Sequence, residues 1–184
     1  VTEYNIVAVN LVLGFPVLGR YDNTHAVFPV LSDEFEQLAE QGVICITAAG
    51  NDHGPSSTDV GIDYPAADPY TISVGAVYDA PIDGGDQTQS YGTLTNGTVY
   101  AYSTEAERIA PYSQRAAILD VMAPGSLIGA TAPNGTLAQS DGTSVAAPHV
   151  AGSVAVLQKL AMEEIGRRLS FGEYGSGGAL PCTP

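Results

Sequence analysis

The sequence predicts an α/β fold, a mainly parallel sheet flanked by helices. Three observations carry this expectation. Residues 6–13 and 43–47 are nearly continuous in apolar side chains, as strands covered on both faces tend to be. An amphipathic helical stretch lies between them, so strand, helix and strand follow one another as a crossover between parallel neighbours. A second, small-residue helix is expected over 145–162.

Taken in order, residues 6–13 (Ile-Val-Ala-Val-Asn-Leu-Val-Leu) form the first strand. Ser32 is placed to cap the following helix, with Asp33, Glu34 and Glu36 in its first turns, where carboxylates complement the positive end of the dipole. Phe35, Leu38 and Ala39 share one face, and Gly42 stops the helix because glycine enters the left-handed region without a Cβ penalty. Val43-Ile44-Cys45-Ile46-Thr47 is the second strand, and 71–77 and 118–122 read as further strands. Residues 79–112 are polar and turn-rich, with Asp83-Gly84-Gly85-Asp86, Thr95-Asn96-Gly97-Thr98 and tyrosines at 78, 91, 100, 102 and 112. This suits a surface hairpin or elaborated loop that either shapes access to a site or is decoration. The Gly-, Ser- and Pro-rich residues 171–184 read as a loose tail.

Composition bounds the function. The chain has 184 residues, 45% of them hydrophobic, enough for one domain with a real core. Its net charge of -14, from 20 acidic against 6 basic residues, argues against nucleic acid as a partner. The longest apolar run, 145–157, is interrupted by His149 and is too short to span a bilayer, so no membrane partner is expected. Cys45 sits in an apolar run and Cys182 in the tail; two cysteines define no disulfide framework, and Cys45 reads as a small buried hydrophobe. Asp79, Asp83 and Asp86 lack the spacing of an EF-hand, so no metal ligand is assigned, although a structural calcium stays compatible with the acidity. Asn96-Gly97-Thr98 and Asn134-Gly135-Thr136 are formal glycosylation sequons.

The segment Asp141-Gly142-Thr143-Ser144-Val145-Ala146-Ala147-Pro148-His149-Val150-Ala151-Gly152 is the most informative. A serine preceded by Gly-Thr and followed by small apolar residues can sit at a helix N-terminus, its hydroxyl in the positive end of the dipole and backbone N–H groups free beside it. That arrangement suits a nucleophile that must also stabilise an oxyanion. Pro148 requires the helix to begin just before it, near Thr143 or Ser144.

This string closely resembles the serine-nucleophile motif of the subtilisin-like serine proteases, the subtilases. Further blocks occur in the order expected of the C-terminal part of a subtilase catalytic domain. Residues 7–14 (Val-Ala-Val-Asn-Leu-Val-Leu-Gly) resemble the substrate-binding strand, and 42–54, with Ala48-Ala49-Gly50-Asn51, the strand and loop that deliver the oxyanion-hole asparagine. Residues 64–77 (Tyr-Pro-Ala-Ala-Asp-Pro-Tyr-Thr-Ile-Ser-Val-Gly-Ala-Val) and 119–125 (Leu-Asp-Val-Met-Ala-Pro-Gly) match the next two strands. The resemblance implies a subtilisin-like sheet, incomplete at the N-terminus, over residues 1–170, with 79–112 as a surface insertion atypical of the family.

It also implies a serine endopeptidase. Ser144 would attack the peptide carbonyl, and Asn51 with the Ser144 backbone N–H would hold the oxyanion. Leu11, Val12, Leu13 and Gly14 would pair with the substrate backbone as an added strand, and Ala48, Ala49 and Gly50 belong to the same substrate-binding surface. Val12 stands where many relatives have serine. Asp63, just before the Tyr-Pro block, would lie near the floor of the pocket for the residue on the acyl side of the scissile bond, or else turn outward into solvent.

The triad aspartate and histidine of the family precede the binding strand, and only five residues do so here. Of the three histidines, His149 belongs to the serine helix and is expected in the core, while His25 and His53 sit in polar loops facing solvent. The chain therefore reads as the downstream piece of a longer protein, or as one chain of a cleaved enzyme, with the missing pair supplied by an upstream segment or partner chain. A non-catalytic subtilase-like binding or assembly module is the alternative. The implied substrate is protein or peptide, no cofactor is required, and the resemblance implies an extracellular location.

Overall fold

The computed structural model describes residues 4–53, 60–80, 88–93, 99–103 and 105–174. Its centre is a four-stranded, wholly parallel sheet of β1 (Ala8–Leu11), β2 (Ile44–Ala48), β3 (Thr71–Val77) and β6 (Val121–Pro124), in the order β1-β2-β3-β6. Two antiparallel hairpins stand apart from it: β4 (Thr88–Thr93) with β5 (Val99–Ser103), and β7 (Ile128–Ala132) with β8 (Thr136–Ser140). The first is the hairpin expected within 79–112. The second has no counterpart in the sequence expectation.

Two helices cover the two faces. Alternate residues of a strand point to opposite sides, and the strands use this alternation consistently. Ile44 and Ile46 of β2, Ile72, Val74 and Ala76 of β3 and Ala123 of β6 pack with Ala146, Ala147 and Val154 of α2 (Thr143–Glu164). Cys45 faces the other way, into a cluster with Phe35, Ile62, Tyr64, Ala66 and Ala67 under α1 (Pro29–Glu40). Burial pushes the Cys45 thiol up to about 11, with the Asp68 charge adding to the effect. It is a free, buried cysteine; Cys182 lies outside the described residues.

The elements differ from expectation at their ends, each for a local reason. Helix α1 begins three residues before Ser32, with Pro29 in its first turn and no side-chain cap, because proline's fixed φ already suits that position. Ser32 instead accepts a hydrogen bond from the Phe28 N–H and donates to Asp68 Oδ2. The acidic residues therefore fall beyond the first turn. Gly42 ends the helix as expected, at φ +69°. β1 is shorter than the apolar run and only half-buried, with Ile6, Val12 and Leu13 exposed; it is an edge strand, covered by a neighbour on one side only among the described residues. β6 starts three residues later than expected, since Asp120 turns back to accept hydrogen bonds from the Ser73 N–H and Oγ.

Helix α2 starts at Thr143 as expected and runs to Glu164. Its most apolar 18-residue window has a mean hydropathy of 1.2, so by length and composition alone it could cross a membrane, a property that core helices share. Its alanines and valines raise mean hydropathy without forming a continuous large-side-chain stripe. Beyond it, the packed part of the chain continues past residue 170. Phe171 is buried in the main core, and Glu173 accepts two 2.9 Å hydrogen bonds from the Arg167 guanidinium. Residues 175–184 lie outside the described residues.

Candidate active site

The C-terminal ends of parallel strands collect the loops that carry chemistry, and here β2 delivers Ala49-Gly50-Asn51 while the turn before α2 delivers Gly142-Thr143-Ser144. Gly142 caps the helix at φ +139° and ψ +159°, a conformation open essentially to glycine alone. Space demands glycine as well. A Cβ there would lie 3.0 Å from Ser144 Oγ and 3.3 Å from Asn51 Nδ2. Those two atoms thus converge on one point beside Gly142, although their residues lie 93 positions apart in the chain.

Thr143 joins the two loops. It is fully buried; its N–H and Oγ1 donate to Asn51 Oδ1 at 2.8 and 3.0 Å, and Gly50 N–H donates to Thr143 Oγ1 at 3.2 Å. With Oδ1 engaged twice, the Asn51 amide is oriented so that Nδ2 turns toward the Gly142–Ser144 side. Ser144 Oγ makes no hydrogen bond among the described residues. Pro148, in the second turn and not the first, has no N–H to give the Ser144 carbonyl.

Asp63 is turned inward, so the solvent-facing alternative is excluded. It is 4% exposed, and Oδ1 accepts a 2.9 Å hydrogen bond from Gln114 Nε2. Oδ2 would stand 3.3 Å from a Cβ on Gly14 and 2.8 Å from one on Gly50, so the carboxylate borders the gap between the segment after β1 and the asparagine loop. Burial raises its pKa, the Gln114 hydrogen bond opposes that, the Asp52 charge adds to it and Arg20 lowers it. Leu11 is half-buried, whereas Val12, Leu13 and Gly14 are exposed beyond the end of β1. Ala48 and Ala49 are buried, and Ala49 N–H donates to the Val74 carbonyl; they carry the loop from below.

The histidines do not approach Ser144 through any described hydrogen bond. His149 is exposed and not in the core, its Nδ1 beside the Val145 carbonyl at 2.9 Å. It projects from the face of α2 away from the sheet. His25 is half-buried with Nδ1 3.2 Å from the Ala67 carbonyl, and His53 N–H donates to the Tyr112 carbonyl. Among the described residues no group of three or more His, Cys, Asp or Glu could hold a metal ion; Asp83 and Asp86 lie outside them.

Two residues of this site carry no motif, Gln114 under Asp63 and Tyr112, and the motif that contains Thr143 does not reveal its bridge to Asn51. Tyr112 OH donates to the Gly125 carbonyl and lies 2.8 Å from Ser126 Oγ, and it accepts from Gly142 N–H at 3.1 Å. No spacing or composition marks these contacts.

The model of the subtilase family matches residues 9–168. The chain belongs to the subtilase family. Among curated relatives, subtilisin of Bacillus pumilus is 31% identical over 153 residues, covering 83% of this chain and 42% of the relative. Subtilisin E of Bacillus subtilis (strain 168) is 31% identical, covering 83% and 31%. The major intracellular serine protease of that organism is 28% identical, covering 79% and 37%. The subtilase chain thus spans less than half the length of these relatives, and one relative named as intracellular means that family alone does not choose a compartment. Among solved structures, the prenylagaramide maturation protease PagA superposes with a TM-score of 0.62 at 21% identity, covering 92% of this chain and 49% of that one. The S218A mutant of the PatA protease domain gives 0.63 at 19%, covering 94% and 50%. These likenesses establish the subtilisin-like α/β fold, and the family is one of serine proteases acting on proteins or peptides.

Proposed function

We propose that this chain supplies the nucleophile, the oxyanion site and the acyl-side pocket of a serine endopeptidase. The supporting observation is that Ser144 Oγ and Asn51 Nδ2 both lie within 3.3 Å of the point where a Cβ on Gly142 would stand. Ser144 Oγ attacks the peptide carbonyl and forms an ester as the amine leaves; water then cleaves that ester and restores the hydroxyl. The developing oxyanion is met by Asn51 Nδ2, a neutral donor, and by the Ser144 backbone N–H, which helix geometry leaves unpaired. The exposed residues 12–14 offer main-chain groups to an extended peptide, and Asp63 at the end of that segment favours a basic residue on the acyl side through a charge-assisted hydrogen bond.

The base that deprotonates Ser144 and the aspartate that orients it come, in this reading, from outside residues 1–184. No cofactor enters the reaction, calcium would act only structurally, and the enzyme works outside the cell. The test compares the full-length protein, its Ser144→Ala variant and residues 1–184 alone on peptide substrates and a fluorophosphonate probe. Hydrolysis and rapid labelling by the full-length protein only support the proposal. A full-length protein that neither cleaves nor labels, while its fold is intact, points to the non-catalytic module instead, in which no described histidine beside Ser144 would be needed.

A further inference from the structure

We propose that Tyr112 is a positioning residue of the reaction, fixing the loops of Asn51 and Ser144 relative to each other through two different atoms. This rests on the reading of Ser144 as the nucleophile. The backbone carbonyl of Tyr112 accepts from His53 N–H at 3.1 Å, two residues beyond Asn51. Its hydroxyl accepts from Gly142 N–H at 3.1 Å, two residues before Ser144. One residue therefore spans both sides of the oxyanion site.

The neighbouring residues extend the hold. Ser113 Oγ accepts from Ala76 N–H at 2.9 Å, fixing the segment to β3, and Gln114 N–H donates to the Gly50 carbonyl at 3.0 Å. The hydroxyl itself is locked in direction, since its proton goes to the Gly125 carbonyl and a lone pair is left for Gly142. Gly142 N–H is shared with the Gly125 carbonyl at 2.8 Å, so the strained Gly142 is held by two acceptors. Losing one lets the turn relax from the unusual φ and ψ that bring Ser144 Oγ beside Asn51 Nδ2. Because that pairing matters most when charge develops on the oxyanion, the loss should appear in kcat and not in KM.

The experiment uses the full-length protein carrying Tyr112→Phe, with Ser126→Ala as a second variant. Ser126 is buried and touches the same hydroxyl at 2.8 Å, but its loss leaves the Gly142 contact in place. Rates are normalised to sites titrated with a fluorophosphonate, so unfolded molecules do not count. The expected result is a kcat about tenfold lower for Y112F with KM within about twofold, the scale of one lost hydrogen bond, and a much smaller fall for S126A. An unchanged kcat in Y112F, or an equal fall in S126A, would overturn the positioning role. Full activity in Ser144→Ala would instead remove the nucleophile reading beneath it.

Discussion

Gln114 Nε2 donates a 2.9 Å hydrogen bond to Asp63 Oδ1, and the two side chains are 1% and 4% exposed. Gln114 Nε2 also donates to the Gly61 carbonyl at 3.3 Å, which leaves Asp63 Oδ2 as the carboxylate oxygen facing Gly14 and Gly50. A buried carboxylate with one oxygen unpaired attracts a substrate cation and repels an apolar side chain that would strip its remaining solvent. On paired peptides, the full-length protein should prefer arginine to leucine on the acyl side, and Asp63→Gly should lower that ratio of kcat/KM by about 10- to 100-fold, the worth of a hydrogen bond to a charged group. A ratio near one, or one that survives the substitution, would remove Asp63 from specificity.

The same carboxylate makes a stability prediction. Burial raises the Asp63 pKa above 3.8 in the folded state, so between the unfolded and folded values the native state holds the extra proton and stability falls as pH rises. Ionised Asp63 is thus a net cost at neutral pH. Asp63→Asn should raise the melting temperature of the full-length protein at pH 7, and the gain should vanish well below pH 3.8, where both states are protonated. A gain independent of pH would assign it to something other than ionisation.

Asn51 and Thr143 act as one unit, because Thr143 N–H and Oγ1 together hold Asn51 Oδ1. Asn51→Ala should lower kcat by about 10²–10³ with little change in KM, a scale taken from a related protease and not from this geometry. Thr143→Val, which keeps the shape and loses the hydroxyl, should cost less. The double variant should be no worse than Asn51→Ala, since removing the amide leaves nothing for the hydroxyl to orient. Additive losses in the double-mutant cycle would show that Thr143 acts elsewhere.

Much of this was legible in the residues, and what was not has a physical reason. Strand β3 is the full stretch 71–77 expected, because a central strand with neighbours on both sides leaves apolar residues no alternative. β1 was overread because an apolar run reports what a strand is suited to face, not what covers it. Ser144 and Asn51 stood in strings of small residues whose purpose was local. Gln114 and Tyr112 could not be found that way. Their hydrogen bonds reach 51 residues back to Asp63 and 30 forward to Gly142, and nothing nearby signals such contacts. By composition Tyr112 belongs with the tyrosines of a polar surface segment, while in the fold it is half-buried and its hydroxyl bonds the Gly125 carbonyl and Gly142 N–H.

Glycine at position 50 is required by space and by backbone. Its φ is +113°, and a Cβ would fall 1.5 Å from Gln114 Oε1 and 2.8 Å from Asp63 Oδ2. Gln114 Oε1, buried and without a hydrogen-bond partner, fits against the glycine and cannot withdraw without breaking its bond to Asp63. Gly50→Ala should therefore abolish detectable hydrolysis in the full-length protein. Gly50→Ala combined with Gln114→Ala, which clears the clash, should recover part of it. Activity in the single variant comparable to wild type would contradict the packing.

The outer face of α2 decides how residues 1–184 behave by themselves. Val156 and Leu160 are exposed on it, Leu157 and Met162 are exposed to either side and Ile165 just past the helix end, while Val12 and Leu13 are exposed beyond the edge strand β1. Single exposed apolar side chains are ordinary, but several of them within the last three turns of one helix make an association surface, and an unpaired parallel edge adds a second. Each large side chain left in water forgoes about 1.5–3 kcal/mol of burial, so several together approach the whole stability of a domain, about 5–15 kcal/mol. Expressed alone, residues 1–184 should bind a hydrophobic dye, sediment as aggregates at micromolar concentration, and lack a sharp cooperative melt. Substituting Val156, Leu160 and Ile165 by glutamate should restore a monomer if the helix face drives association. A monomeric wild-type fragment that melts cooperatively without dye binding would show that these faces are tolerated in water.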